Sequence, residues 1–367
     1  MNSDSYHLEC ISDPVLLDNL KESWHELWEN QQGTFFQHFG WNYTWIKNYQ
    51  SYIKHLMVLT VWYENTLIAV LPCYIRKHRL DFMQRQLWLI GTGEPEYCEV
   101  CPENNDILAD DSHISYTIKL ITDFFNTQKV CETIVFKDLL TNSRLSSLAS
   151  PLKTLFPIQT LKKVGRGFNI PLFTENFGLK SSFIKKSKKL KNKLSKHQHE
   201  LIFAKSSNEA LTLYDELIKL HQYRWQKKGS KGVFSSLLFK DFHQEIIKDL
   251  FSKGNVILVG LKVNKDFVAI NYCFLDFKSC YFYQSGVDTD YNPNLSPGLL
   301  LHFLLIEYFS NLGIESYDLM KSNSEKSYKS EIIEPNRFLY DLNLQSSIIH
   351  STLFRIIEKF QLYTLKV

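Results

Sequence analysis

Tyr283-Gln284-Ser285-Gly286 reads as the end of a strand, and Asn294-Leu295-Ser296-Pro297-Gly298-Leu299 as a loop opening into a helix. A helix N-terminus that follows a strand presents unpaired amides and the positive end of the helix dipole, which together favour an anion. Ser296 is expected to cap that helix, and Pro297 suits its first position because it has no amide hydrogen to leave unpaired. Gly298 would let a phosphate approach the backbone closely. An ordinary capped helix carries the same signature, so the motif alone leaves both readings open.

The loop after the third strand of the first half is the opposite kind of surface. Residues 91–113 hold Glu94, Glu96, Glu99, Glu103, Asp106, Asp110 and Asp111. Such a loop repels a pyrophosphate and suits a cationic amine or a general base. Glu96 and Glu99 flank Tyr97 and Cys98, which are expected to hold them in place. Three further clusters carry chemistry. Arg224 and Trp225 end a helix beside His221. Asp318 leads toward Tyr328 and Lys329, a phenol and an ammonium able to protonate a leaving group or hold an oxyanion. From Lys180 to Lys196 a lysine-rich stretch carries Phe183, Ile184, Leu190 and Leu194 at helical spacing. It reads as a basic amphipathic helix suited to an anionic substrate or an anionic membrane surface.

The elements that would position these residues repeat. Leu56–Tyr63 with Thr66–Ile75, and Asn255–Val263 with Phe267–Asp276, read as two hairpins turning at Glu64-Asn65 and Asn264-Lys265. They superpose at a fixed offset, with Ala69 over Ala269 and Cys73 over Cys273. Each is followed by a third strand, a helix and a further strand. Helices are expected over residues 15–30 and 41–54, over Ser181–Lys196, Asn208–Trp225 and Phe239–Ser252, and at the C-terminus. Two copies of one α/β unit follow: residues 1–170, residues 171–345, and a terminal helix over 346–367.

Composition narrows the function classes. The 367 residues are 44% hydrophobic and 22% charged, which is globular, and 42 basic against 39 acidic side chains leave a net charge of only +3. With basic residues concentrated in one helix, no nucleic-acid partner is expected. No apolar run is long enough to span a bilayer and no signal peptide is evident, so a cytoplasmic location is expected. Seven scattered cysteines, with Cys98 and Cys101 the only close pair, point to no metal.

These landmarks together resemble the CelD-like acetyltransferases of the GNAT superfamily, relatives of the FemABX transferases. The likeness runs through Phe35, Trp41 and Trp45, the first hairpin, Gly91, Glu96 and Tyr97, the lysine-rich helix, and His221 to Trp225. It continues through Phe234, His243, Tyr283 to Asp288, Ser296 to Gly298, Tyr317-Asp318 and Tyr328-Lys329. The resemblance implies tandem GNAT-like domains with mixed, mostly antiparallel sheets flanked by helices. It implies an N-acyltransferase moving an acyl group from acyl-CoA, such as acetyl-CoA, to an amine, an amino sugar or cell-envelope or exopolysaccharide precursor. Donor contacts would fall on Gln284, Gly286, Ser296, Pro297, Gly298 and Leu299. Acceptor contacts would fall on Tyr97, Glu99, Arg224, Trp225 and Asp318, with Glu96, Tyr328 and Lys329 catalytic. The strand at 267–276 and the strand at 280–287 would splay to admit the pantetheine arm. The sequence departs from the family after Asp318, where Lys321-Ser322 stand in place of an arginine and glycine and the stretch before Tyr328 is longer. That departure favours a rival reading, a non-catalytic GNAT-fold protein binding or scaffolding exopolysaccharide synthesis. The coiled-coil arm of some FemABX enzymes is missing, which points away from aminoacyl-tRNA as donor.

Overall fold

A computed structural model describes residues 5–78, 84–292, 294–324 and 326–347. The chain forms a mixed α/β fold whose mostly antiparallel strands are flanked by helices, divided into two compact units. Among the described residues, unit 1 comprises 5–78, 84–95, 99–164 and 339–347, and unit 2 comprises 96–98, 165–292, 294–324 and 326–338. The terminal helix expected over 346–367 falls almost wholly outside the described residues.

Unit 1 begins with β1 (Tyr6–Ile11), α1 (Lys21–Asn30), α2 (Phe39–Asn48), β2 (Ile53–Tyr63) and β3 (Thr66–Arg76). It continues with β4 (Gln86–Leu89), β5 (Leu108–Ala109), α3 (Ile114–Gln128) and β6 (Thr133–Leu140). The β2–β3 hairpin turns over two residues, with Tyr63 opposite Thr66 and Glu64 at φ 52°. A left-handed first turn residue matches the twist of the flanking strands. Strands β1 to β4 pair antiparallel in sequence order, while β4 and β6 run parallel and α3 supplies the crossover. Ile121 and Phe125 of α3 close over Leu59, Val61, Leu71 and Phe136.

Two helices differ from expectation. Residues 14–20 form a 3-10 segment in which Val15 N donates to Asp13 Oδ1 at 2.9 Å, so α1 starts only at Lys21. The helix expected over 41–54 stops at Asn48, because Ile53 already pairs with Arg76 and draws the following residues into β2.

The sequence boundary between the units falls within β7 (Ile158–Pro171), a polar strand with two glycines that the hydrophobic pattern does not reveal. Unit 2 continues with α4 (Ser181–Leu194), β8 (His199–Phe203), α5 (Ser207–Lys227), α6 (Leu237–Leu250), β9 (Val256–Val263) and β10 (Asp266–Leu275). Next come β11 (Ser279–Val287), α7 (Pro297–Asn311), β12 (Ser316–Ser322) and the short α8 (Lys329–Ile332). The last strand, β13 (Arg337–Gln345), pairs through Leu339–Gln345 with β6, so these residues complete unit 1 rather than the second unit to which the sequence reading assigned them. Within unit 2 the strand order is β7, β12, β11, β10, β9, β8. The β9–β10 hairpin again turns over two residues, with Asn264 at φ 56°. Each unit thus follows a hairpin with an antiparallel third strand, a crossover helix and a parallel strand: β2-β3-β4-α3-β6 in one, β9-β10-β11-α7-β12 in the other.

Candidate functional site

Strands β11 and β12 run parallel but pair only at Ser279–Ser316, Cys280–Tyr317 and Tyr281–Asp318. Beyond Tyr281, β11 continues to Val287 with its β12-facing edge unpaired, which leaves a wedge. This corrects the sequence expectation, which put the splay between β10 and β11. Those two pair from Ala269–Val287 down to Leu275–Cys280, with Tyr283 the extra residue of a bulge opposite Tyr272–Cys273. A bulge adds local twist and bends its strand.

A cavity of about 460 Å³ occupies this region of unit 2. Its wall includes Ser285 and Val287 of β11, Asn271 of β10, the loop residues Asp288 and Tyr291, and Ser296, Pro297, Gly298 and Leu299 at the start of α7. Arg224 and Lys228 at the end of α5, His302 of α7 and Tyr328 complete it. Pro297 occupies the first helical position as expected, but Ser296 does not cap: it sits at φ 44° and its side chain makes no cap bond. Its carbonyl accepts from Leu300 N at 3.1 Å instead. With no amide on Pro297 and Leu300 engaged, the amides of Gly298 and Leu299 are left to the N-terminal end. A Cβ on Gly298 would lie 3.2 Å from Val287 Cγ2, so the glycine keeps this corner open.

Of the residues singled out in the sequence, this cavity brings together Ser296, Pro297, Gly298, Leu299, Arg224 and Tyr328. Tyr328 stacks on His302 at 5.9 Å and 22°. Although 40% exposed, its phenol is pushed up in pKa by desolvation against the opposing pull of Arg224, and it stays protonated at neutral pH either way.

The others lie elsewhere. Gly286 packs β11 onto α5: a Cβ there would come within 2.5 Å of Leu217 O. Gly286→Ala is therefore expected to cost about 1–3 kcal/mol of stability, as overpacking does, read by urea unfolding. Gln284 turns its Oε1 back to Ser285 N at 3.0 Å. Asp318 is buried, ion-paired with Arg337 and bonded to Met320 N at 2.7 Å, so it anchors β12 rather than facing the cavity. Lys329 Nζ donates to Lys321 O at 2.7 Å. Trp225 lies under Lys228, whose Nζ is 5.4 Å from the ring centre. His221 is held neutral by burial, its pKa drawn down to about 4.

In the acidic loop, Glu96 and Tyr97 are exposed and Glu99 is ion-paired to Lys137 at 2.6 Å. The fold buries two of the loop's carboxyls, Glu94 and Glu103, and Glu94 is the one whose pKa it shifts strongly. For Glu94, Oε1 accepts from Trp45 Nε1, Oε2 is buried without a partner, and burial raises the pKa to about 8.

The lysine-rich helix packs as its pattern indicates, with Phe183, Leu190 and Leu194 buried. Lys186 pairs with Glu331 at 3.1 Å and Lys191 with Glu307 at 2.7 Å, while Lys193 Nζ donates to Asn294 O at 3.2 Å. Lys185, Lys188 and Lys189 are exposed. Among the cavity residues the sequence did not single out are Asn271, Lys228 and His302. Among the described residues, no group of three or more His, Cys, Asp or Glu side chains is placed to hold a metal ion, and no helix is long and apolar enough to cross a membrane.

Residues 181–330, which contain this cavity, match the family model described as an acetyltransferase (GNAT) domain. The fold extends beyond that match. The chain is similar to the crystal structure of FemX (TM-score 0.60, 10% identity, covering 91% of this chain and 98% of that one). It is similar to the C-terminal domain of a putative lysylphosphatidylglycerol synthetase from Agrobacterium fabrum (0.58, 11%, 92% and 95%). It is also similar to L-PGS from Bacillus licheniformis (0.57, 11%, 90% and 94%). No curated protein matches the sequence.

Proposed function

We propose that the chain is an N-acyltransferase of the CelD-like group that takes an acyl group from acyl-CoA, bound in the cavity of unit 2, and passes it to an amine. The observation that carries this reading is the start of α7: the Gly298 and Leu299 amides open into a cavity that also holds Arg224 and Lys228. A helix N-terminus with two cations suits a pyrophosphate. The unpaired edge of β11 beside it offers main-chain partners to the amide groups of a pantetheine arm. Tyr328, protonated and on the cavity wall, is placed to return a proton to a departing thiolate. An acceptor amine must be neutral to attack, and Glu96, exposed on the acidic loop, is proposed as the base that takes its proton. The acceptor is proposed to be an amino sugar or cell-envelope precursor.

The rival reading, a non-catalytic binding protein of the same fold, draws on Lys329 being tied to the Lys321 carbonyl and Glu96 lying off the cavity wall. The test is a thermal-shift series with acetyl-, longer acyl- and free CoA, followed by acyl transfer to a pool of amino sugars and envelope precursors. A ligand at 100 times its Kd adds about 2.7 kcal/mol to the folded state, so acyl-CoA is expected to raise the melting temperature by a few degrees. No shift with any CoA species at millimolar concentration overturns the proposal, and binding without turnover on any acceptor favours the rival.

A further inference from the structure

His302 interrupts an otherwise apolar helix and lies on the cavity wall, only 3% exposed. Its Nδ1 is 3.0 Å from the hydroxyl of Tyr317, which is itself fully buried on β12. The Asn271 side chain acts on that same hydroxyl and lowers its pKa, as a donor to the phenol oxygen does, against the larger upward effect of burial. With an Asn271 amide hydrogen directed at its oxygen, the Tyr317 O–H is turned to Nδ1. The imidazole is then fixed in the tautomer that carries its hydrogen on Nε2. Burial, reinforced by Lys329, draws the His302 pKa down to about 3, so the ring is neutral at physiological pH. It is a donor at Nε2, and that atom has no protein partner among the described residues.

Asn271 adds a second, independent sign. It lies in the middle of a buried strand and lines the same cavity; its Nδ2 carries two hydrogens, of which one is directed at the Tyr317 oxygen without completing a well-formed bond and the other meets no protein acceptor. Buried polar atoms are seldom left so. Two neutral donors therefore lie in one cavity wall, on β10 and α7, without an acceptor. A carboxylate or phosphate is better served by Arg224 and Lys228. Neutral N–H groups suit a carbonyl oxygen, above all one that gains charge as its carbon is attacked.

Resting on the acyl-CoA reading, we propose that His302 Nε2–H and Asn271 Nδ2–H bind the thioester carbonyl oxygen of the donor, with Tyr317 as the residue that positions the imidazole. As the amine nitrogen bonds to the carbonyl carbon, the C=O electron pair moves onto the oxygen that these donors face. When the C–S bond breaks, the pair returns to reform the carbonyl and sulfur leaves as thiolate. His302 gives up no proton in either step. Phe282, near-perpendicular at 4.5 Å, and Tyr328, stacked at 5.9 Å, pack against the ring.

The test is isotope-edited infrared spectroscopy of [1-13C]acetyl-CoA bound to the full chain, with calorimetry on the same samples. In wild type the thioester carbonyl stretch is expected below its value in water. His302→Phe, combined with Tyr317→Phe so that no hydroxyl is stranded, should return it toward that of an unbonded carbonyl while donor affinity changes less than about fivefold. His302→Gln, which keeps an N–H, should retain part of the shift, and Asn271→Leu should lose part. If the double variant does not fold, the wild-type spectrum with the two single variants decides. Acetyl-CoA that binds wild type without a lowered carbonyl stretch overturns the His302–Asn271 assignment alone. So does a stretch equally low in wild type and His302→Phe/Tyr317→Phe. Calorimetry showing no acetyl-CoA binding by wild type overturns the acyl-CoA reading itself.

Discussion

Gly298→Asp is expected to weaken acyl-CoA binding by at least about 100-fold, which is about 2.7 kcal/mol, while unit 2 stays folded. The two effects separate for physical reasons. A carboxylate in the first turn of a helix interacts favourably with the macrodipole, by roughly 0.3–1 kcal/mol, so α7 itself is not weakened by the charge. The added Cβ meets only Val287 Cγ2 at 3.2 Å, a side chain that needs to yield by a few tenths of an ångström. Toward a pyrophosphate the same carboxylate is both an obstacle and a like charge. Two unit charges about 5 Å apart near a surface repel by on the order of 3 kcal/mol. Gly298→Ala supplies the Cβ without the charge and should lose affinity by much less. Calorimetry with CoA, paired with a thermal melt of each variant, reads both quantities. A folded Gly298→Asp protein that binds CoA as wild type does would remove the start of α7 from the donor site.

What could be seen in the sequence follows the range of the interactions that decide it. Glu64-Asn65 and Asn264-Lys265 are local turn signals, and both hairpins turn there. Pro297 is a local helix-start signal, and α7 begins at it. Ser296 breaks the pattern because its φ of 44° takes its hydroxyl away from the amides it was expected to cap. Long-range pairing is where residue patterns lose their hold. Nothing in Leu339–Gln345 distinguishes a strand that pairs with its predecessors from one that pairs with β6, some two hundred residues earlier. Asn271 did leave a trace. In the superposed hairpins it stands where the first copy has Leu71, a polar residue in a strand otherwise apolar in that register. His302 left the same trace in α7. Neither was singled out as a site residue, although a polar residue inside a buried element requires a partner or a ligand. The acidic loop shows the opposite limit. Its carboxylates look alike in sequence, and only the folded chain, by bringing Trp45 to Glu94, separates buried Glu94 from the exposed Glu96 two residues on.

That separation has a measurable consequence for unit 1. Glu94 is 6% exposed, lies among the aromatic side chains around Trp45 and Tyr74, and has its pKa raised from 4.5 to about 8, chiefly by desolvation, with Glu99 adding to the rise and Lys137 and the Trp45 hydrogen bond opposing it. Well below pH 4.5 the carboxyl is protonated in folded and unfolded chains alike and contributes no pH dependence. Between pH 4.5 and about 8 the unfolded chain releases this proton and the folded chain keeps it. The folded state then binds more protons, so stability falls as pH rises, and it levels off above the folded pKa. One pKa unit corresponds to about 1.4 kcal/mol, which sets a ceiling of roughly 5 kcal/mol on the whole loss. Glu94→Gln keeps the shape and an acceptor for Trp45 Nε1 and cannot ionise. Its stability should match wild type near pH 4.5 and exceed it increasingly toward pH 8, by up to several kcal/mol. Urea unfolding followed by the fluorescence of the buried tryptophans Trp41 and Trp45 reports on this unit. A Glu94→Gln curve parallel to wild type from pH 4.5 to pH 9 would mean that Glu94 ionises inside the fold at its ordinary pKa, the pull of Lys137 and the Trp45 hydrogen bond then offsetting the whole cost of burial.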